Sequence, residues 1–298
     1  MSSIAALEEI LEDVSITDVI FDGHCSALVE MLGELREITN PFQSEIDIEH
    51  WARSIMNANG SRLDISNPIS EVTIESKVGL LRIHAVLAGE CSKRTQVSIR
   101  RHSVASLSLE ELVKNETIAI NQATVLREII IKKENFVILG GTGSGKTTLL
   151  KAILSEVSNE RIITIEDAPE LALLGRSVSL TTRANNHEGV GEIDLAKLLR
   201  EALRMRPDRL VIGEARGEEL LLLLQAMNTG HSGSGFTIHA NTIQDFTPRV
   251  LAIMAGIGIE PGLTKLLVNS AITWVVEVKR LNGKRRVTNI KRLDQLDV

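Results

Sequence analysis

Gly140, Gly145, Lys146 and Thr147 occupy every fixed position of the pattern G-x-x-x-x-G-K-[ST]. These residue types at this spacing suit one kind of chemistry. A triphosphate tail needs several backbone N–H groups aimed into one concavity, and the chain curls that tightly only where Cβ atoms are missing. Gly141, Thr142, Gly143, Ser144 and Gly145 would form the cradle, continued by Thr148. Lys146 would reach the β- and γ-phosphates of a nucleotide, and the Thr147 hydroxyl would hold Mg²⁺. The flanks agree. Residues 136–139 are a short apolar run suited to a buried parallel strand, and Leu149, Leu150, Ile153 and Leu154 mark one side of a following helix. That helix would turn its positive end toward the phosphates.

Binding alone is not hydrolysis, which needs a carboxylate to orient water and ligands for the metal, normally at the C-terminal ends of neighbouring parallel strands. Two positions qualify: Glu166-Asp167 after Ile162-Ile163-Thr164-Ile165, and Glu214 after Leu210-Val211-Ile212-Gly213. At the second, Gly213 stands where such a strand usually ends in aspartate. His231 and His239 are eight apart, a spacing that fits no common metal motif, so they are read as non-metal residues.

The elements that must position these groups change character along the chain. Residues 4–14 have a helical apolar face, 16–21 read as a strand, 24–40 suit either a helix or a hairpin turning at Gly33, and 47–58 read as a helix. From residue 69 the period becomes two: Val72 and Ile74, then Leu81, Ile83 and Ala85, then Val97 and Ile99, with a turn at Lys77-Val78-Gly79. This is the pattern of a small α+β module with an antiparallel sheet. The serine-enriched stretch 102–108 reads as a linker, and Ser108 with Glu111 as a capping box. Beyond it strands (136–139, 161–165, 178–182, 210–212, 236–238) alternate with helices (121–132, 146–157, the Leu195–Leu203 face, 220–227), which calls for a mostly parallel sheet. Asn282-Gly283 signals a closing hairpin. The division expected is 1–107 and 108–298.

Composition bounds the partners. The 298 residues are 43% apolar and 24% charged, the range of an ordinary globular protein. A net charge of −6, 2% aromatics and no Tyr argue against a broad grip on nucleic acid. Cys25 and Cys91 fit a reduced compartment. No secretory signal is visible and no apolar run approaches the roughly 18 residues of a membrane span, so a cytoplasmic location is expected, with membrane contact through protein partners.

Four ordered blocks resemble the Walker A, Asp box, Walker B and His box of the secretion-traffic ATPases, which power type II and type IV secretion, pili and conjugation: residues 140–148, 165–171, 203–217 and 226–241. Met227-Asn228-Thr229-Gly230-His231 and the Ser15–Ile20 stretch look most like the tight-adherence (Tad/Flp) pilus branch. The resemblance implies an α/β, RecA-like P-loop domain preceded by the small α+β domain. It further implies a homohexameric ring with nucleotide between the domains, and inner-membrane platform proteins as partners. It gives Glu166 and Asp167 a place beside metal and water, Glu214 the role of base, and His231 and His239 that of sensing the γ-phosphate and the subunit contact. Arg100 looks like the family's amino-domain arginine, with Arg101 as the alternate; Arg82 and Arg183 are further candidates for an arginine finger, and Arg216 is the Walker-B arginine. Gly230, Gly233 and Gly235 suggest a mobile loop next to the nucleotide. The zinc-binding cysteines of type II members are missing, and the chain begins almost at the amino domain, so no metal beyond Mg²⁺ and no extra docking segment are expected. A DNA-transfer ATPase of conjugation is the second reading, and a nucleotide-binding ring without turnover a third.

Overall fold

The computed structural model describes residues 3–13, 15–31, 34–89, 91–102, 107–183 and 190–296. They form two compact units, one on each side of residues 104 and 105. Most of the expected linker, residues 103–106, lies outside the described set, as does Gly33.

The first unit contains α1 (Ser3–Leu11), β1 (Ile16–Asp22), β2 (Ser26–Met31), β3 (Glu34–Glu37), α2 (Glu45–Ala58), β4 (Ile69–Ser76), β5 (Gly79–Val86) and β6 (Gln96–His102). All strand pairs are antiparallel, in the order β3-β2-β1-β6-β5-β4. The ambiguous stretch 24–40 is a hairpin, because Ala27 and Val29 alternate into the core while Met31 pairs with Glu34. Val19, Phe21, Ile83, Val97 and Ile99 face one side of the sheet, where Ile48, Trp51, Ala52, Ile55 and Met56 of α2 belong to the same core. Ser44 starts α2 by accepting the Asp47 N–H at its hydroxyl.

The second unit runs through α3 (Leu109–Lys114), α4 (Ile120–Ile131), β7 (Phe136–Leu139), α5 (Lys146–Ser155), β8 (Ile162–Glu166), β9 (Ser177–Thr181) and α6 (Leu195–Ala202). It continues with β10 (Arg209–Ile212), α7 (Glu218–Asn228), β11 (Gly235–Ile238), α8 (Phe246–Gly256), α9 (Pro261–Ala271), β12 (Trp274–Leu281) and β13 (Lys284–Arg292). The sheet order is β13-β12-β7-β11-β10-β8-β9, parallel from β12 to β9 with β13 antiparallel at the edge. Both faces are covered, so the central strands are largely apolar. Val137, Leu139, Ile163, Leu210 and Phe236 pack with α6 to α9, while Phe136, Ile138, Ile162 and Val211 pack with α3 to α5. The Ser108–Glu111 capping box is present, and Asn282 (φ 50°) and Gly283 (φ 78°) make the two-residue hairpin turn. Helices α8 and α9 have no counterpart in the sequence reading. Pro248 sits in the first turn of α8, and exposed Leu263 and Leu266 blur the apolar face of α9.

A staple holds the N-terminal edge of this sheet. Arg209 at the start of β10 is fully buried and forks onto both carboxylate oxygens of Glu160, at 3.0 Å each. It also donates to the carbonyls of Gly233 (3.0 Å) and Ile130 (2.7 Å). Replacing it strips donors from all three at once. Arg209→Met should cost about 3 kcal/mol in chemical denaturation, whereas Arg204→Ala, whose side chain is 77% exposed, should stay within about 0.5 kcal/mol.

Candidate active site

The loop between β7 and α5 closes as a cup because its glycines allow it. Gly143 (φ 68°) and Gly145 (φ 100°) adopt left-handed conformations that a side chain would strain. A Cβ on Gly140 would lie 2.2 Å from the carbonyl oxygen of Val278, so β12 presses against the base of the cup. Lys146, the first residue of α5, is 7% exposed, and its ammonium donates to the carbonyls of Gly140 (3.0 Å) and Gly141 (2.9 Å). Burial pulls its pKa down, and the charges of Glu214 and Glu170 only partly restore it. Among the described residues no carboxylate lies within ion-pair distance of it. Thr147 and Thr148 share the first turn of α5, at the helix's positive end.

A line of contacts leaves this lysine. Its Nζ is 3.5 Å from His239 Nε2, which is 3.3 Å from Glu214 Oε2. The strand order explains the middle member. Glu214 follows β10, which does not adjoin β7; β11 lies between them and ends beside His239. The expectation of carboxylates on strands neighbouring the loop is corrected accordingly, since β10 and β8 are the second and third strands from β7.

Glu166 ends β8 directly beside Gly213, whose N–H donates to Ile165. A Cβ on Gly213 would come within 3.0 Å of Glu166 Cγ. The departure at Gly213 therefore has a physical reason: the space an aspartate would fill on β10 is taken by a carboxylate from β8. Glu166 is 3% exposed; Oε1 accepts the Leu171 N–H at 3.0 Å, while Oε2 is buried without a partner. Burial raises its pKa to about 7 against the opposing Leu171 hydrogen bond. Asp167 pairs with Arg216 at 2.7 Å and accepts the Thr182 hydroxyl at 3.2 Å.

Two buried orphans, Glu166 Oε2 and the Ser144 hydroxyl, fit a site that takes a phosphate and a cation. Thr147, Glu166 and Asp167 remain the residues that could hold Mg²⁺, and Gly141 to Thr148 the cradle for phosphate.

Other expected site residues lie elsewhere. His231 caps the C-terminal end of α7, its Nδ1 and N–H each 3.2 Å from the Ala226 carbonyl. It precedes β11, at the edge of the sheet opposite the cup, so the expected place beside the γ-phosphate is corrected. The glycine-rich turn at 229–235 is corrected with it. A parallel sheet obliges α7 to return the chain to the far edge before β11 begins. There the turn is pinned by Arg209 to Gly233 O, by Ser234 Oγ to His231 O (2.7 Å) and by Ser234 N–H to Asn135 Oδ1 (3.1 Å). Arg183 donates to the Gly191 carbonyl at 2.9 Å and pairs by backbone with Ile193, apart from the Lys146 line. In the first unit Arg100 bonds Asp18 at 2.8 Å, Arg82 bonds Glu71 at 2.8 Å, and Arg101 donates to the Leu11 and Asp13 carbonyls.

Three groups add to what the sequence suggests. Glu170 charges both Lys146 and Glu166, and its signal was its place inside the 165–171 block. Lys151 on α5 is 5% exposed; burial lowers its pKa and the charge of Glu166 opposes the shift. Thr237, on β11, donates its hydroxyl to the Gly213 carbonyl and so braces the strand end that carries Glu214. An ordinary β-branched strand residue gives no signal of that role.

The profile of the family described as "Type II/IV secretion system protein" matches residues 71–290. The putative conjugal transfer protein Rv3659c of Mycobacterium tuberculosis is 36% identical, covering 98% of this chain and 84% of its own. The conjugal transfer protein TrbB of Rhizobium radiobacter is 30% identical, covering 95% and 85%. Among solved structures, the Legionella pneumophila ATPase DotB superposes with a TM-score of 0.72 at 21% identity, covering 98% of this chain and 81% of that one, a likeness of fold. A glycine cup around a buried lysine, the sheet order and these matches agree, and the chain belongs to the type II/IV secretion system ATPase family.

Proposed function

We propose that this chain is an ATP-hydrolysing motor that drives a membrane-embedded secretion or pilus machine. The observation that carries this is the contact line Lys146–His239–Glu214 rising from a glycine cup. When bound, ATP supplies the γ-phosphoryl group and Mg²⁺ neutralises its charge. Lys146 exchanges its two backbone carbonyls for phosphate oxygens. Glu214 orients the attacking water and accepts its proton, with His239 holding the carboxylate in place. Thr147, Glu166 and Asp167 would hold the cation, and Arg216 fixes Asp167. Arg100 or Arg183 meets the charge that develops on the phosphate, and His231 serves a subunit contact. The chain acts as a homohexamer on the cytoplasmic side of the inner membrane, attached through platform proteins. No described helix is long and apolar enough to cross a membrane.

The conjugation reading has its own support, since both relatives are named as conjugal transfer proteins. The tight-adherence branch has no comparable support here. A net charge of −6 with 2% aromatics favours a motor that moves protein parts over one that grips DNA itself. Prepilin and platform genes beside this one would favour a pilus, and a relaxase gene conjugation. A ring that binds nucleotide without turnover needs the cup but not Glu214.

Phosphate release therefore decides between motor and passive ring: Glu214→Gln should lower it by about a hundredfold or more while ADP binding persists, and unchanged release would remove Glu214 as the base. A second test uses pH. Because the Glu166 carboxyl is raised from 4.5 to about 7, the folded chain keeps a proton that the unfolded chain has released between those values. Stability from this group is present below the lower value and lost as pH rises to the upper one. Denaturation of the nucleotide-free protein should show Glu166→Gln matching the parent near pH 4.5 and exceeding it by up to about 3 kcal/mol above pH 7. A margin independent of pH would contradict the buried, protonated carboxyl.

A further inference from the structure

The closing hairpin carries Lys279, Arg280, Lys284, Arg285 and Arg286 around its tip, a dense positive cluster in a chain of net charge −6. Most of these cations are engaged. Lys279 pairs with Glu277, and Lys284 and Arg286 both reach Glu116. Arg285 pairs with Arg280 through the strand ladder, and its exposed side chain has no ion pair or hydrogen bond among the described residues.

Its position is unusual. A Cβ built on Gly145 would lie 3.1 Å from Arg285 Cδ, 3.7 Å from Cγ and 3.8 Å from Cβ. The aliphatic stem thus lies across the last glycine of the cup, at the N-terminus of α5. Strand pairing accounts for the placement: Glu277 is level with Leu139, so β12 continues past the end of β7 and the hairpin overhangs the loop. Gly145 then has two reasons to lack a side chain, its left-handed φ and the stem of Arg285.

The sheet order gives the side from which Arg285 approaches. β7 lies between β12 on one flank and β11 on the other. His239 and Glu214, the hydrolytic groups, belong to the β11–β10 flank, and Arg285 to the opposite one. A nucleotide with its γ-phosphate at Glu214 would extend its α-phosphate and nucleoside toward β12 and β13. We infer that Arg285 is a nucleotide-binding residue that grips the α-phosphate and nucleoside end, by charge and by laying its guanidinium plane on the base. The inference rests on the proposed ATP site. Such a grip is equal for substrate and product, so it holds nucleotide without lowering the hydrolytic barrier.

Calorimetric titration of the full chain with ADP tests this. Arg285→Ala should weaken ADP binding about tenfold, raise KM for ATP by a similar factor and leave kcat unchanged. Inorganic pyrophosphate, which has no nucleoside end, should bind parent and variant alike. Arg285→Lys should recover part of the ADP affinity, and Lys284→Ala should match the parent. An unchanged ADP affinity in Arg285→Ala would overturn the inference, as would a fall in kcat at constant KM. No ADP binding by the parent chain would instead overturn the ATP site itself.

Discussion

A buried ammonium with no carboxylate beside it among the described residues sets the terms for the second unit. Lys146 is held by two carbonyls of its own loop at the positive end of α5. Desolvation works against its charge, and the more distant charges of Glu214 and Glu170 compensate it only in part. Such a cation is stabilised by any anion that reaches it, and the glycines at 140, 143 and 145 leave the approach open. Around it stand groups in the complementary condition: a Glu166 oxygen and a Ser144 hydroxyl with no partners, and a Glu214 carboxylate one histidine away. Each makes sense as half of an interaction whose other half is a phosphate, a cation or a water.

The parallel sheet keeps this chemistry on one edge and the reinforcement on the other. Lys146, Glu166, Glu214 and His239 all lie at or beyond the C-terminal ends of strands, where loops are free to diverge from the sheet. At the opposite edge Arg209, Glu160, Asn135, His231 and Ser234 bond to one another and to backbone carbonyls, filling donors and acceptors that β7, β10 and β11 leave at their starts. Glu277 shows the same economy inside β12. Burial tends to raise its pKa, and hydrogen bonds from Thr288, Lys279, the Ile243 N–H and Asn289 outweigh that, keeping it ionised as a tie between strand and loop.

Much of this was legible from residue types. The phosphate loop announces itself because glycine, lysine and threonine are each needed at a fixed offset, and the alternating strands of the first unit because a one-faced sheet imposes a period of two. Gly213 was visible as a departure but not as a solution, since its reason is a side chain nearly fifty residues away in sequence, Glu166. His231 misled for a related cause. A histidine beside glycines looks like a mobile catalytic loop until the direction of β11 is counted, and the parallel topology then puts it on the far edge. Helices α8 and α9 were hidden by a proline in one and exposed leucines in the other. Arg285 carries no local signal at all, because the hairpin's overhang depends on the register between β12 and β7.

The most direct measurement is a crystal structure of the chain with ADP and Mg²⁺. The account predicts that Lys146 Nζ leaves the Gly140 and Gly141 carbonyls for the β-phosphate, with Glu214 and His239 on the side where the γ-phosphate would stand. Nucleotide bound elsewhere, with Lys146 still on those two carbonyls, would contradict it.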